Sequence, residues 1–489
     1  MSFLKKNKIL SSFKWMGAYS ILNAILTPVT LAILVLFLTP TELGERSIVM
    51  VIVGLSATLT QFGIAQAIIS REEVLDEELD TLFIFNIIIG CFLCLLMFFI
   101  APLISQFYHN KDLTHLIRLT SIVFVLDPMS VMFSAILEKK FLFKMVATFN
   151  IIKVVILNLS TLLFATMGLG SLSYIIGQIL SSIILFFLFF IYFLRREQWR
   201  PSFSFNISIL KSFLSFGLFV SGKEFLNFLG KYFDEIIVGR ILNVEILGYY
   251  YVAKQLIEKS VTLISSNVNK VFYPLYSELV KKKDGYQSLK SQYLLNSTIV
   301  SLVGFPIFGL LIINTDLIID FLDSDWKKIN LVIIIFSCKA MIDIVSSGFA
   351  SSALYALEKP KEVFKIDLIL FPIRISLITI GAFISIEMVA GFYALFVLVK
   401  ALILQRKLNF FLNISMRRYL KSIMINLYVN LIFTSALFFT IHIVGESIVF
   451  NIVLSILYLL GSLSVTGYLN SKKNNLRNFS GKFFTRRAS

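Results

Sequence analysis

The chain has 489 residues, of which 57% are hydrophobic and only 15% are charged, and its mean hydropathy is +0.85. A soluble protein of this length cannot bury so much apolar surface, so the composition predicts an integral membrane protein. The formal net charge of +16 is not accompanied by a soluble module with a basic face, which argues against nucleic-acid binding. Three cysteines and three histidines without ligand spacing indicate no disulfide framework, metal site or cofactor.

Apolar runs of about 20 residues, the length that crosses a bilayer, recur along the whole chain. The first run is too long for the core of a signal peptide and has no cleavage site. Short polar turns separate the runs, which excludes a β-barrel and predicts an all-α polytopic protein with about 14 transmembrane helices. The predicted spans are residues 14–38, 46–69, 81–107, 113–137, 145–167, 170–194, 211–239, 246–275, 286–313, 329–357, 364–386, 388–405, 420–443 and 447–469.

The distribution of Lys and Arg predicts the orientation of these spans. Thirty of the 45 basic residues lie on the side that holds both chain ends, ten lie inside spans, and five lie on the other side. Because cytoplasmic loops carry the excess of Lys and Arg, both termini are predicted to be cytoplasmic. The five residues of the outer side are Arg46, Lys111, Arg240, Lys327 and Lys328.

Two short motifs recur six spans apart. Residues 41–44 and 244–248 each place an acid shortly before Leu-Gly, and residues 137–144 and 357–365 share Leu-Glu-Lys followed by Phe-Lys. A separation of six spans gives both halves the same orientation, as in transporters built from parallel repeats with a substrate site near the midplane. The predicted domains are an N-terminal six-helix lobe (1–200), a C-terminal six-helix lobe (201–412), and two extra transmembrane helices with a basic cytoplasmic tail (413–489).

Seven cations lie deep inside the predicted spans, where each costs about 3 kcal/mol on insertion scales and should face the protein interior. Three of them have an acid four residues later and are expected to form structural pairs, namely Lys231 with Glu235, Lys254 with Glu258, and Lys339 with Asp343. The other four have no such partner in their own helix and are the predicted ligands of an anionic substrate: Lys153, Lys223, Lys259 and Arg374.

Polar residues on spans seven and eight extend this candidate site. Asn227 and Lys231 share one face of span seven, while Tyr251, Gln255 and Thr262 recur at helical spacing on span eight. Such hydroxyl and amide groups suit sugar hydroxyls, although packing against a neighbouring polar helix is an alternative. Three intramembrane acids are candidates for coupling to H⁺ or Na⁺: Asp127, Glu258 and Asp343. The longest predicted loops, of about 15 residues, are too short for a catalytic domain, so no enzyme is expected.

The motifs of both halves resemble a known family. Residues 38–44 and 107–108 in the first half, and 234–240, 247–250 and 271–277 in the second, are similar to Wzx-type, especially WzxC-like, flippases of the multidrug, oligosaccharidyl-lipid and polysaccharide exporter superfamily. The resemblance covers about residues 10–410. It implies a bacterial inner-membrane protein with a cationic central cavity and no catalytic residue.

The resemblance also implies a substrate and partners. The expected substrate is an undecaprenyl-pyrophosphate-linked oligosaccharide repeat unit of O-antigen, capsule or exopolysaccharide, and the expected partners are membrane lipids and a polymerase of the same pathway. The alternatives are a cation-coupled multidrug antiporter, a polytopic polymerase or ligase, and a lipid II flippase. The last family carries an arginine in the first span, where this sequence has Asn23 and Thr27.

Overall fold

A computed structural model describes residues 3–61, 64–197, 199–282, 284–322, 324–444 and 448–472. The side chains of some helical residues, among them Lys223, also lie outside the description. Within the described ranges the chain forms α-helices and one short 3-10 helix and contains no strand, which confirms the predicted all-α class. The helices are α1 (Phe3–Leu34), α2 (Pro40–Gln61), α3 (Ile64–Ser70), α4 (Asp76–Tyr108), α5 (Leu113–Thr120), α6 (Val123–Lys139), α7 (Phe143–Thr166), α8 (Leu172–Arg196), α9 (Ile207–Ile241), α10 (Val244–Val280), α11 (Gly285–Ile313), α12 (Thr315–Leu322), the 3-10 helix (Ser324–Ile329), α13 (Asn330–Val345), α14 (Ser347–Ala356), α15 (Pro360–Ala382), α16 (Ile386–Leu412), α17 (Met416–Val444) and α18 (Ile448–Lys472).

The helices that can cross a membrane follow the predicted spans. Among the described residues, 10 helices are long and apolar enough to do so, or 11 if the bent pair α2 and α3 is one span. The three other predicted spans overlap α9, α10 and α15, which have 35, 37 and 23 residues and contain many of the intramembrane charges. The protein is therefore a multi-pass membrane protein, and the predicted number of 14 spans is not confirmed.

The chain divides into two compact units, residues 1–252 and 253–489, called unit 1 and unit 2 here. In unit 1, α7 packs against α1 and α8, α6 packs against α4, and α2 lies along α9. Four aromatic rings surround Phe133, and their centroids lie 4.7–6.4 Å from the centroid of its ring. They belong to Phe83, Phe189, Phe193 and Trp199. This aromatic core holds the ends of α4, α6 and α8 together. The lobe boundaries at residues 200 and 412 remain a prediction.

One set of turns in unit 1 meets around a buried carboxylate near the start of α2. Asn110, after α4, donates from Nδ2 to Oε1 of Glu45 at 2.8 Å, and the Ser171 hydroxyl, before α8, donates to the other oxygen. The turns that follow the first, third and fifth predicted spans therefore share one end of the unit. This is the arrangement that alternating spans require.

The other set of turns in unit 1 meets around Asp80 at the start of α4. Its Oδ1 accepts hydrogen bonds from Trp199 Nε1 at 3.0 Å and from the Ser202 backbone N–H at 2.9 Å. Lys139, at the end of α6, donates from Nζ to the carbonyl of Arg71 at 2.6 Å. The turns after the second, fourth and sixth predicted spans thus share the opposite end, and these are the turns predicted to be cytoplasmic.

The two Leu-Gly turns of the predicted repeat contact each other within unit 1. A Cβ atom on Gly44 would lie 1.9 Å from the Val244 carbonyl oxygen, and one on Gly248 would lie 1.8 Å from the Pro40 carbonyl oxygen. Each glycine is the fifth residue of its helix and meets the first residue of the other helix. This reciprocal contact is what a repeated motif produces, and only glycine permits so close a backbone approach.

In unit 2, α15 packs along α16, α13 contacts α11 and α16, and α17 contacts α11 and α18. Buried amides connect the last two helices to α11. Asn426 donates from Nδ2 to Ser301 Oγ at 2.7 Å, and Asn470 donates to Asn426 Oδ1 at 2.7 Å. The two extra helices therefore belong to the packed interior of unit 2, because interhelical amide bonds fix helix pairs in a membrane.

Candidate functional site

Two cations contact one aromatic ring in unit 2. Lys339 Nζ lies 4.4 Å and Arg374 Cζ lies 4.7 Å from the ring centroid of buried Tyr393. The three residues come from α13, α15 and α16, so three helices build this cluster. A desolvated cation over an aromatic face gains about 2 kcal/mol, which offsets part of the cost of its burial. The arrangement concentrates positive charge inside the unit.

Lys339 finds its counter-charge on another helix. Its Nζ lies 3.2 Å from Oε1 of Glu258 on α10, and the side chain of Lys339 is buried while that of Glu258 is 29% exposed. The sequence predicted a partner within the same helix, Asp343 for Lys339 and Lys254 for Glu258. The ion pair with Glu258 lies between helices and was not predicted, and Asp343 also interacts electrostatically with Lys339.

Arg46 is a buried cation that the sequence placed in an outer turn. Helix α2 begins at Pro40, so Arg46 lies in its second turn and is only 5% exposed. Its Cζ lies 4.7 Å from the ring centroid of Tyr174 and 6.0 Å from that of Tyr251. Nε and Nη1 have no hydrogen-bond partner among the described residues. Arg46 thus lies inside a helix and not in a turn, because a hydropathy window begins at the apolar run and misses the helix turns before it.

Two of the predicted site residues pair with each other in unit 1. Lys153 Nζ on α7 lies 3.1 Å from Asp127 Oδ1 on α6, and both side chains are about one-fifth exposed. The sequence assigned them separate roles, Lys153 to the anionic substrate and Asp127 to ion coupling. The structure brings them together in one ion pair between α6 and α7.

The most deeply buried pair of adjacent acids in the described part of unit 1 lies on α9. Tyr250 donates its hydroxyl to Oδ2 of Asp234 at 2.7 Å, and Ser47 donates to Oε2 of Glu235 at 2.7 Å. Both carboxylates are almost completely buried. Sequence reasoning treated Glu235 only as a partner for Lys231 and did not select either acid for coupling.

The remaining predicted residues are dispersed. Tyr251 is buried and donates its hydroxyl to Met50 Sδ at 3.0 Å. Asn227, Lys231 and Thr262 are exposed, whereas Gln255, Lys259 and Asp343 are partly buried. Lys231 Nζ lies 4.7 Å from the ring centroid of Tyr232. The side chain of Lys223 lies outside the described residues.

Metal-ligating side chains do not gather in the part of the chain that the structure describes, where no group of three or more His, Cys, Asp or Glu could hold an ion. The chemistry that the two units offer is instead that of buried cations, aromatic faces and a few paired acids. Such groups bind and release charged ligands.

The fold is that of multi-span helical transporters. The structure aligns with one titled "Lipid II flippase MurJ, inward closed conformation" with a TM-score of 0.74 and 16% identity, covering 94% of this chain and 98% of that chain. The eukaryotic MATE transporter AtDTX14 aligns with a TM-score of 0.51 and 14% identity, covering 86% of this chain and 98% of that chain. At these identities the likeness establishes the fold class alone.

A family model described as "Polysaccharide biosynthesis protein" matches residues 33–330. The teichuronic acid biosynthesis protein TuaB of Bacillus subtilis is 26% identical over 423 residues, covering 85% of this chain and 86% of TuaB. The lipopolysaccharide biosynthesis protein WzxC of Escherichia coli is 23% identical over 437 residues, covering 87% and 86%. The chain belongs to this polysaccharide biosynthesis family, which confirms the predicted resemblance to WzxC.

Proposed function

We propose that the protein is a flippase that moves an undecaprenyl-pyrophosphate-linked oligosaccharide repeat unit from the inner to the outer leaflet of a bacterial inner membrane. Family membership and the names of TuaB and WzxC support a role in surface polysaccharide synthesis. The fold shared with a lipid II flippase supports a lipid-linked substrate. No catalytic group is required, because the reaction moves the substrate without changing a covalent bond.

The single observation that carries this proposal is the pair of cations on Tyr393. Lys339 and Arg374 converge on one buried ring, and Glu258 forms an ion pair with Lys339. A pyrophosphate supplies the negative charge that such a cluster attracts, and arginine is well suited to phosphate oxygens. A cationic drug would meet repulsion at the same place, which disfavours the multidrug antiporter. Lys153, Lys223 and Lys259 are proposed to contribute further positive charge.

The sugars are proposed to contact the polar side chains of α9 and α10. Asn227, Lys231, Gln255 and Thr262 supply amide, ammonium and hydroxyl groups that suit sugar hydroxyls. Asn227 and Thr262 are exposed in this conformation.

Transport is proposed to proceed by alternating access with both termini in the cytoplasm. Outward movement of negative charge is favoured by an inside-negative potential, by about 2.3 kcal/mol per charge per 100 mV. Coupling to H⁺ or Na⁺ is proposed for the acids that hold cations, Asp127 with Lys153 and Glu258 with Lys339, and for Asp343 one helical turn from Lys339. Protonation of such an acid releases its cation for the pyrophosphate.

Deletion of the gene in its host tests the proposal. Mass spectrometry of extracted lipids should show accumulation of complete, unpolymerised repeat units on undecaprenyl pyrophosphate, while surface polysaccharide disappears. A plasmid copy should reverse both effects. Unchanged lipid pools together with impaired export of small molecules would support the antiporter instead. Accumulation of lipid II would support the lipid II flippase.

A further inference from the structure

The segment between α8 and α9 displays two phenylalanines on the surface of the protein. Residues 199–206 form neither helix nor strand. Phe203 is 90% exposed and Phe205 is 45% exposed, and Ile207, which begins α9, is also exposed. Burial of a phenylalanine side chain is worth about 1.5–3 kcal/mol, so a surface that presents two of them is typically covered by an apolar partner.

Hydrogen bonds on both sides fix the position of these phenylalanines. On the N-terminal side, Trp199 Nε1 and the Ser202 backbone N–H both donate to Asp80, at 3.0 and 2.9 Å. On the C-terminal side, Asn206 donates from its backbone N–H to Thr81 Oγ1 at 3.2 Å and from its side chain to Glu77 Oε1 at 3.2 Å. The exposed residues thus lie between two points anchored to the start of α4. The fold of unit 1 therefore holds these phenylalanines in an exposed position.

Exposed cations flank the phenylalanines on both sides. Arg195, Arg196, Arg200 and Lys211 all lie within eight residues of Phe203, and all four are exposed. The acid in this stretch, Glu197, is paired with Lys140 of the neighbouring turn. Within residues 195–211 the other described charged residues are all basic, while the carboxylates of Asp80 and Glu77 on α4 hydrogen-bond to the segment. Aromatic residues set among Lys and Arg are the pattern of a membrane-surface segment that meets anionic headgroups.

The position of the segment along the membrane normal agrees with such a partner. Helix α9 has 35 residues, and at 1.5 Å per residue it spans about 52 Å, well beyond the hydrocarbon thickness of about 30 Å. At least one end of α9 must therefore project into the headgroup region. The segment follows α8, which is long and apolar enough to cross the membrane, and precedes α9, so it lies near one membrane surface.

We propose that residues 199–206 form a membrane-surface anchor that binds anionic phospholipids. Phe203 and Phe205 insert at the boundary between headgroups and acyl chains, and Arg195, Arg196, Arg200 and Lys211 contact the phosphates. The anchor holds the connection between α8 and α9 at a fixed depth. By the predicted orientation this is the cytoplasmic leaflet, and the anchor is independent of the substrate that the protein carries.

Spin-label depth measurements on the full-length protein test the insertion. Cys91, Cys94 and Cys338 are replaced by alanine, and a nitroxide is attached to a cysteine at Phe203 or, as the aqueous control, at exposed Lys111 in a predicted outer turn. In nanodiscs of phosphatidylglycerol and phosphatidylethanolamine, the label at position 203 should collide with O₂ at least threefold more often, relative to a water-soluble nickel chelate, than the label at 111. Equal ratios would overturn the anchor and indicate a surface for a soluble partner protein.

Lipid retention by proteins with native cysteines tests the headgroup contacts. Arg195→Gln, Arg196→Gln and Arg200→Gln are combined in one variant, and Lys111→Gln with Lys327→Gln serve as a control with exposed cations elsewhere. Native mass spectrometry should show at least twofold less phosphatidylglycerol retained by the triple variant and an unchanged amount on the control. The double variant Phe203→Ser with Phe205→Ser should also retain at least twofold less phosphatidylglycerol. Equal retention by wild type and all variants would contradict the proposal.

Discussion

The ring of Tyr393 is expected to matter more than its hydroxyl, because its face is what Lys339 and Arg374 contact. Tyr393→Phe keeps the ring and should retain more than half of the surface polysaccharide in a deletion strain. Tyr393→Leu removes a cation–π interaction worth about 2 kcal/mol from each cation and should lower polysaccharide output at least tenfold. The measurement is quantified complementation at equal membrane expression. Equal loss in both variants would show that the hydroxyl, and not the ring, carries the role.

The ion pair between Lys339 and Glu258 gives a prediction for stability. Glu258→Gln leaves the buried ammonium without its counter-charge and should destabilise the protein by an amount on the order of 3 kcal/mol, the low end for buried pairs because Glu258 is 29% exposed. Lys339→Met combined with Glu258→Leu should restore much of that stability, since a buried pair is replaceable by apolar groups. Thermal unfolding in detergent measures both.

Transport by the same double variant separates stability from function. If the pair serves only packing, the double variant transports as well as wild type. The proposed role in binding an anion predicts a stable protein that complements poorly, because Lys339 is gone. A stable and fully active double variant would remove Lys339 from the substrate site.

At this scale, sequence spacing selected candidate residues but did not predict what they contact. Arg374 and Lys153 were selected because no acid lies three or four residues away in their own helices, and the structure places Tyr393 and Asp127 beside them from neighbouring helices. Periodicity describes one helix at a time, so contacts between helices lie beyond it. Arg46 was missed for a different reason, since its helix begins before the apolar run does.

The reciprocal contact of Gly44 and Gly248 makes a prediction for the helices that carry them. A methyl group added to Gly44 or to Gly248 would lie within 2 Å of a backbone carbonyl oxygen. The backbone cannot move aside as a flexible side chain can, so the clash would separate the two helices. If this predicted outer contact opens and closes during transport, Gly44→Ala and Gly248→Ala should favour the open form. A cysteine at buried Ser171 should then react at least fivefold faster with a membrane-impermeant maleimide added from outside, measured in a background without native cysteines.

The matched control for the glycine contact is Gly391→Ala, where nothing lies within 4 Å of the added atom. It adds the same methyl group to a helix without the clash and should leave the labelling rate at wild-type values. Labelling in Gly44→Ala that equals the control would show that the contact does not open.

The helices themselves were largely predictable, and their interruptions were not. Every predicted span overlaps an observed helix because about 20 apolar residues satisfy a bilayer only as a helix. The bend of 41° between α2 and α3, and the breaks between α5 and α6 and between α13 and α14, were not predicted. A hydropathy window averages over such short interruptions, which depend on packing against neighbouring helices.

For the whole molecule, the distribution of Lys and Arg predicts that both termini lie in the cytoplasm. Fusions of green fluorescent protein to either end should fluoresce, and alkaline phosphatase fused to the C-terminus should be inactive. The phosphatase fused after Lys111, in a predicted outer turn, should be active and serves as the internal control. Active phosphatase at the C-terminus with none at Lys111 would reverse the orientation.

The class of the protein was predictable from composition and from repeated turns, whereas its site was not. The apolar content predicts that the protein lies in a lipid bilayer. The motifs near Gly44 and Gly248 indicated a repeat, and the two copies of that motif contact each other in the structure. A substrate site, in contrast, depends on which charges share a space after folding. That information lies in tertiary contacts such as those of Tyr393 and Glu258.

Reconstitution of the purified protein tests the central claim most directly. Proteoliposomes containing an undecaprenyl-pyrophosphate-linked oligosaccharide in both leaflets are treated with an external glycosidase, which at once removes the sugar that faces outward. The account predicts that the protected half then becomes accessible at a rate at least tenfold above that of empty liposomes, and that Arg374→Gln abolishes most of this increase. A rate equal to that of empty liposomes, with efflux of a cationic dye from the same vesicles, would contradict it.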